Sequence, residues 1–132
     1  MKKILISIIV VLVFACIGIA VFFMVRERSL YSTKGPYKRS ECDEKGSHSD
    51  WSVEYGNFEG RMSRYLKPVN DTLHMEVTTR KGTVDVSVED KSGNVLYEKN
   101  DVKELNENLD VDVMVKVIVT TKEHAGKFTF EF

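Results

Sequence analysis

The chain has 132 residues, of which 19 are Lys or Arg and 20 are Asp or Glu, so its formal net charge is −1. This length provides for one small domain, which buries roughly 60 to 70% of the surface that the unfolded chain exposes and therefore has a thin core. Beyond Ser40 there are 12 basic and 19 acidic residues. We expect no nucleic-acid partner, because an acidic surface lacks the excess of Lys and Arg that binds a phosphate backbone.

The first predicted element is an apolar segment. Lys2 and Lys3 precede an uncharged stretch over residues 4–25, and a helix of this length, at about 1.5 Å per residue, crosses the roughly 30 Å hydrocarbon core of a bilayer. A cleavable secretory signal has an apolar region of only about 7 to 15 residues. Residues 1–25 are therefore predicted to be a signal anchor, a single transmembrane helix that contacts the membrane through residues 4–25.

A lipid anchor is the alternative for this segment. Val13, Phe14, Ala15 and Cys16 resemble a bacterial lipobox, and this resemblance implies a lipoprotein that is lipidated on Cys16. Phe14 is bulkier than the residue usual in that family, and the residues after Cys16 stay apolar where mature lipoproteins turn polar. The uncleaved helix is therefore the favoured interpretation.

The charges that flank the apolar segment do not decide its orientation. The α-amine, Lys2 and Lys3 nearly balance the five basic residues between Arg26 and Arg39, and the more basic flank of a span normally stays in the cytoplasm. A short basic start followed at once by an apolar run has the general form of a secretory signal. We therefore expect a single-pass protein of the cell membrane whose C-terminal domain is extracytoplasmic.

Residues 26–49 are predicted to be a basic polar linker. Gly35, Pro36 and Gly46 interrupt this segment, which has no apolar periodicity. Cys42 is the only cysteine beyond the apolar segment. The domain can therefore form no internal disulfide and must be stabilised by packing.

Residues 50–132 alternate apolar and polar side chains with a period of two, which predicts β-strands. In the first half, Gly56 with Asn57 and the group Arg80 to Gly82 are predicted to separate the strands. The predicted strands of this half cover residues 51–55, 58–66 and 73–78.

The second half begins with the clearest local signal. Asp90 to Gly93 have the residue types of a type I turn with glycine in the left-handed position, which predicts a hairpin. Five valines at alternate positions from Val111 to Val119 predict a long central strand. The predicted segments of this half are strands at 84–89 and 95–97, a crossing segment at 100–110, a strand from 111, a loop at 123–126 and a final strand with Phe128, Phe130 and Phe132.

These strands predict an all-β fold, an antiparallel β-sandwich or jelly-roll-like domain of six to seven strands at residues 50–132, with a flattened open barrel as the alternative. The Trp51-led strand, the strand with Gly56 and Gly60, the Asp90 turn and the Gly126 strand resemble those of small secreted or membrane-tethered bacterial β-sandwich proteins, mostly of unknown function. They also resemble the jelly-roll domains of secreted peptidases. The resemblance implies a fold and no site.

Candidate catalytic and metal-binding residues form no recognised pattern. His48, His74 and His124 lie in no hydrolase signature, and the spacing of Cys42 and His48 falls in a flexible segment. The acidic group around Glu44 matches neither a zinc site nor a calcium loop. We therefore predict a protein that is not an enzyme, with no catalytic, cofactor-binding or metal residues and no cofactor.

The remaining candidates are aromatic residues. Trp51, Tyr55 and Tyr65 are possible stacking residues for a sugar, although the alternation around Trp51 favours a place in the core. The leading hypothesis is a non-enzymatic interaction or structural module on the outer side of the membrane. The alternative is a cell-surface carbohydrate-binding module, so that the partner is a protein, for example at an exposed strand edge, or a cell-wall glycan.

Overall fold

The computed structural model describes residues 2–132, with the side chains of residues 3–20 and 30–132. The chain divides into two compact units, Met1–Leu30 and Tyr31–Phe132. In the first unit, helix α1 covers Lys2–Leu30. Its segment Lys3–Ala20 is long and apolar enough to cross a membrane by length and composition, and none of that segment is buried. The prediction of an N-terminal apolar helix is thus confirmed, and the side chains of residues 21–25 in the predicted span lie outside the described residues.

Helix α1 is longer than the predicted span of residues 4–25. It continues to Leu30 because Arg26, Glu27 and Arg28 are good helix formers, and the first glycine and proline after them are Gly35 and Pro36. The end of an apolar run fixes where a helix must leave the bilayer and does not fix where the helix itself ends.

The second unit consists of antiparallel β-structure, so the prediction of a β-rich domain is confirmed. Its eight strands exceed the six to seven that were predicted. They are β1 (Tyr37–Ser40), β2 (Asp43–Gly46), β3 (Asp50–Leu66), β4 (Thr72–Gly82), β5 (Val84–Asp90), β6 (Val95–Val102), β7 (Leu105–Asp110) and β8 (Val115–Glu131).

The strands form a few long antiparallel rows. Strand β8 pairs with β3 along its whole length on one side, and on its other side it pairs first with β5 and then with β4. The row made by β4 and β5 pairs in turn with β7 and β6, while β1 and β2 lie on the outer side of β3. The predicted central position of the valine-rich strand is confirmed, because β8 pairs with three neighbours.

All the long rows are interrupted at the same level, which we call the central bend. There β3 has register shifts between Tyr55 and Gly60, and Thr83 separates β4 from β5. Strand β8 is irregular opposite these positions, where Phe58 and Gly82 both pair with His124. Residues 103–104 separate β6 from β7 at this level.

Three predicted turns lie inside strands, and one of them, Arg80 to Gly82, forms the end of β4. The Gly56 and Asn57 pair does not reverse the chain but forms a bulge in β3, and residues 123–126 belong to β8. Gly126 does not reverse the chain but allows the backbone of Thr78 to come close, because a Cβ atom at Gly126 would lie 2.1 Å from the carbonyl oxygen of Thr78. A glycine in a β-sequence can therefore mark a bend as well as a reversal.

The segment predicted as a linker contains strands. Within residues 26–49, β1 and β2 pair with β3 around Glu41, whose φ is 50°. Both strands are short and mostly polar, as edge strands often are, so they show no apolar alternation in the sequence. The β-unit accordingly begins at Tyr31 instead of residue 50.

The second half of the domain also differs in detail. The predicted hairpin is confirmed, since Asp90 Oδ1 accepts hydrogen bonds from the backbone N–H groups of Ser92 and Asn94, and Gly93 has a φ of 86°. The predicted crossing segment contains the end of β6 and all of β7. The valine-rich strand begins at Val115 instead of Val111.

A single apolar core connects these rows. Strands β3 and β8 contribute most of the large side chains, and the predicted core residues Trp51, Val53, Tyr55, Phe128 and Phe130 are fully buried or nearly so. Trp51 packs edge-on against Phe128 with ring centroids 4.8 Å apart. Phe132, the last residue of the predicted aromatic stripe, is only partly buried.

Candidate functional site

The three predicted stacking aromatics do not form an exposed platform. Trp51 and Tyr55 are 0% and 1% exposed, so both faces of their rings are covered by core residues. Tyr65 is half-buried on the outer side of β3, with the Lys116 ammonium 5.8 Å from its ring centroid. The structure therefore does not bring these residues together as a sugar-stacking surface.

The three histidines lie far apart in the sequence and have different surroundings. The ring centroids of His48 and Tyr31 lie 4.5 Å apart. His74 shares a hydrogen bond of 2.7 Å with Asn108 on β7. His124, predicted to lie in a loop, is instead fully buried within β8. The buried polar residues of the described chain are Ser63 and His124, and of these His124 alone is fully buried.

Both ring nitrogens of His124 are hydrogen bonded. Nδ1 lies 2.5 Å from the hydroxyl of Tyr55, and Nε2 lies 2.8 Å from Oγ1 of Thr79. A neutral imidazole has one N–H donor and one acceptor nitrogen, and each hydroxyl can take the complementary role. The three side chains thus form a satisfied polar bridge between β3, β4 and β8 at the central bend.

The electrostatic surroundings favour the neutral forms of this bridge. Burial lowers the pKa of His124 below its ordinary value of 6.5, and the nearby Arg80 guanidinium lowers it further. Burial also raises the pKa of Tyr55 well above its ordinary value. Arg80 itself donates a hydrogen bond of 2.8 Å to the carbonyl oxygen of Tyr55, so the positive charge is held beside the bridge. This arrangement stabilises the bend and provides no nucleophile beside an accessible base.

A second polar cluster lies where β2 meets β3. One carboxylate oxygen of Glu44, Oε2, accepts hydrogen bonds from Thr33 Oγ1 at 2.6 Å, Trp51 Nε1 at 2.9 Å and Arg39 Nη1 at 3.2 Å. Glu44 pairs with the buried Val53, so its side chain lies on the core side of the sheet edge. Arg39, one of the basic residues of the predicted linker, is thus engaged in this cluster.

The Glu44 cluster has a defined charge state. Burial raises the pKa of Glu44, but the hydrogen bonds from Thr33, Trp51 and Arg39 outweigh this effect and lower the pKa below its ordinary value of 4.5. A carboxylate with a lowered pKa stabilises the fold above the pKa of the unfolded chain, and this contribution is lost as the pH falls through the folded pKa. The cluster is therefore expected to loosen in acid below about pH 4.5.

Replacing Glu44 with glutamine is expected to lower the free energy of unfolding by about 1 to 2 kcal/mol, because hydrogen bonds to a charged acceptor become neutral ones. Urea unfolding of the full chain in micelles, followed by the fluorescence of Trp51, measures the effect. Glu54→Gln is the matched control, since Glu54 is exposed on β3, and it is expected to stay within about 0.5 kcal/mol of wild type. Equal effects of the two substitutions would contradict this role of Glu44.

The opposite edge of the sheet carries a similar arrangement. Tyr97 on β6 donates a hydrogen bond of 2.6 Å from its hydroxyl to Glu107 Oε2 on β7, and the Lys99 ammonium lies 3.8 Å from Oε1 of the same carboxylate. Glu107 pairs with the buried Met75. Each outermost row thus carries an acidic side chain that donors from neighbouring segments hold, partly buried at Glu44 and exposed at Glu107.

The side chains of the acidic group around Glu44 do not converge on a metal site. Glu44 is committed to Arg39 and Trp51, and the Asp50 carboxylate accepts a hydrogen bond from Ser47 Oγ. Among the described residues, no three His, Cys, Asp or Glu side chains are close enough together to hold a metal ion.

A polar cleft opens at the central bend and has a volume of about 470 Å³. Its walls come from the junction between β4 and β5, the end of β6 with the following residue, and the middle of β8. The charged and hydroxyl groups that line it include those of Thr83, Asp85, Asp101, Lys103, Thr120 and Lys122.

The walls of this polar cleft are fixed by hydrogen bonds. Asp85 Oδ1 accepts a bond of 2.9 Å from the backbone N–H of Asp101, which has a φ of 53°. Thr121 Oγ1 donates a bond of 2.6 Å to the carbonyl oxygen of Thr83. A Cβ atom at Gly82 would lie 2.1 Å from the carbonyl oxygen of Glu123, so glycine is required where the two walls meet.

Comparison with known proteins adds no further assignment. No family model matches the chain, and no curated protein is similar enough to it to count as a match. The interpretation of the polar cleft and of the buried His124 bridge therefore depends on the geometry of this chain alone.

Proposed function

We propose that this protein is a non-enzymatic interaction module, held at the membrane by one helix, whose β-domain lies on the outer side of the cell membrane. The observation that carries the proposal is the combination of an apolar helix, none of whose segment Lys3–Ala20 is buried, with a separate β-unit that has its own core. An apolar helix that is not buried by protein is stable when lipid covers it.

The state of the reactive side chains supports a binding role over a catalytic one. A nucleophile requires an adjacent base and an orienting group. His124 is sealed in the core, and burial raises the pKa of the Cys42 thiol, which disfavours the reactive thiolate. We therefore propose that the domain binds a partner without transforming it.

We also propose a sandwich arrangement for the strands. The interruptions at the central bend lie at one level in every long row, so the rows can fold over and bring their two halves face to face. The core residues of both halves belong to one cluster, which supports this arrangement.

The location of the domain can be tested with its own cysteine. Cys42 is exposed and is the only cysteine of the β-unit. A membrane-impermeant maleimide added to intact cells is expected to label the full chain, and Cys42→Ser is expected to abolish the label. Labelling that requires permeabilised cells would place the domain inside and would overturn the proposal.

The nature of the anchor can be tested separately. The full chain is expected to stay in the membrane fraction after alkaline extraction, and Cys16→Ser is expected to behave in the same way because the helix itself crosses the bilayer. Release of the Cys16→Ser variant into the soluble fraction, or a lipid-modified Cys16 at the N-terminus in mass analysis, would instead support the lipoprotein alternative.

A carbohydrate-binding module is the second candidate function. The aromatic residues first considered for it are buried or dispersed, so stacking on Trp51 and Tyr55 does not support it. The polar cleft supports it instead, because a cleft of this size with both donors and acceptors suits a small polar ligand.

A further inference from the structure

We propose that the polar cleft at the central bend is a binding site for a neutral saccharide, which it holds by side-chain hydrogen bonds without aromatic stacking. This inference deepens the proposed function, since it names the ligand class of a surface-displayed binding module. It assigns the recognition to Asp85, Asp101, Lys103 and Lys122.

The charges of the cleft favour a neutral ligand. Its aspartates and lysines have opposite signs and are spread over three segments, with Glu123 beside them paired to Lys81 at 2.9 Å. An anion would meet Asp85 and Asp101, and a cation would meet Lys103 and Lys122. A ligand without net charge avoids both repulsions.

The chemistry of the lining groups matches a sugar in particular. Carboxylates accept hydrogen bonds, ammonium groups donate them, and threonine hydroxyls do both. A sugar hydroxyl is at once a donor and an acceptor, so it can bridge an aspartate and a lysine on opposite walls. The hydroxyls of Thr83, Thr120 and Thr121 add further partners, although Thr121 already donates to the Thr83 carbonyl.

The Asp85 wall of the cleft is also preorganised. The cleft volume of about 470 Å³ lies within the range of roughly 300 to 1,000 Å³ that is usual for small-ligand sites. The hydrogen bond from the Asp101 N–H to Asp85 fixes one carboxylate before a ligand arrives. Groups that are held in place before binding lose little conformational entropy on binding.

Saturation-transfer NMR on the purified full chain tests this site. The chain is kept in phosphocholine micelles, because the headgroup of an alkyl glycoside detergent is itself a sugar. The probes are glucose, galactose, N-acetylglucosamine and the tetramer of N-acetylglucosamine. We expect transfer to at least one of these sugars, and a weakening of about tenfold in the double variant Asp85→Asn/Lys122→Gln, the equivalent of one hydrogen bond to a charged group.

Lys127→Gln is the matched control. Lys127 is an exposed lysine on the same strand as Lys122 but lies outside the cleft, beside Glu76 and Thr129. Its replacement is expected to leave sugar binding unchanged. Asp85→Asn keeps the oxygen that accepts the Asp101 N–H, so the wall is expected to stay folded, which the hairpin signals of the NMR spectrum verify.

Three results would overturn the inference: transfer to none of the sugars, equal transfer to wild type and the double variant, or transfer to glycine or methyl phosphate but to no sugar. The measurement uses purified protein in micelles and does not depend on Cys42 labelling in cells. The cleft assignment and the proposed location can therefore fail independently.

Discussion

Replacing Trp51 with alanine is expected to lower the free energy of unfolding of the β-domain by about 3 to 5 kcal/mol, the usual cost of removing a large aromatic side chain from a core. The Trp51 ring is fully buried against Phe128 and Phe130, and its Nε1 donates to Glu44. The substitution leaves a cavity and removes one of the donors that hold the Glu44 carboxylate.

Urea unfolding followed by circular dichroism of the full chain in micelles measures this effect, since the variant lacks the chain's single tryptophan. Tyr65→Ala is the matched control: Tyr65 is an aromatic residue of the same strand that is only half-buried, and it is expected to cost less than about 1.5 kcal/mol. Trp51→Phe keeps most of the packing and is expected to fall between the two. A small effect of Trp51→Ala would show that the ring is not part of the core.

Replacing His124 with leucine is expected to destabilise the domain by about 2 to 3 kcal/mol. Leucine fills a similar volume but leaves the buried Tyr55 hydroxyl and Thr79 Oγ1 without their imidazole partner, and an unsatisfied buried polar group costs about 1 to 3 kcal/mol. The midpoint of urea unfolding in micelles at about pH 7.5, where the imidazole is neutral, measures the loss.

The same residue is expected to make wild-type stability depend on pH. Because the folded pKa of His124 lies below its ordinary value of 6.5, the unfolded chain binds the proton more readily. Its contribution is therefore fully present above about pH 6.5 and is lost as the pH falls toward the folded pKa. The His124→Leu variant is expected to lack this step.

His74→Gln is the control for both measurements. His74 is partly exposed and shares its hydrogen bond with Asn108, so its replacement is expected to change stability by less than about 0.5 kcal/mol and to leave the pH dependence intact. If His74→Gln removed the step and His124→Leu retained it, the buried bridge would not be its source.

The parts of the fold that could be predicted are those where local chemistry and burial agree. The uncharged run of residues 4–25 specifies an apolar helix, and the alternation of Trp51, Val53 and Tyr55 specifies a strand with one face in the core. The Asp90 turn was predictable because its side chain bonds to the backbone within four residues.

The parts that were missed depend on contacts between distant segments. Strands β1 and β2 consist mostly of polar residues and exist because β3 offers them an edge. Gly56 and Gly126 resemble turn residues in the sequence, but they allow a bulge and a close approach, which only the neighbouring strand determines.

The sequence does contain a signal for the burial of His124. His124 lies at an even spacing before Phe128 and Phe130, and these three residues share the buried face of β8. The polar cleft left no local signal, because Asp85, Asp101 and Lys122 come from three separate segments that only the central bend brings together.

The acidic side chains at the two outer rows bear on the proposed anchoring at a membrane. Anchored molecules share a plane, so their sheet borders collide far more often than those of freely diffusing molecules. A second molecule that docked along β2 or β7 would remove water from around Glu44 or Glu107. Each carboxylate is already hydrogen bonded within its own molecule, so the second molecule would offer it no compensating partner. We therefore expect anchored molecules to remain dispersed at high surface density instead of pairing edge to edge.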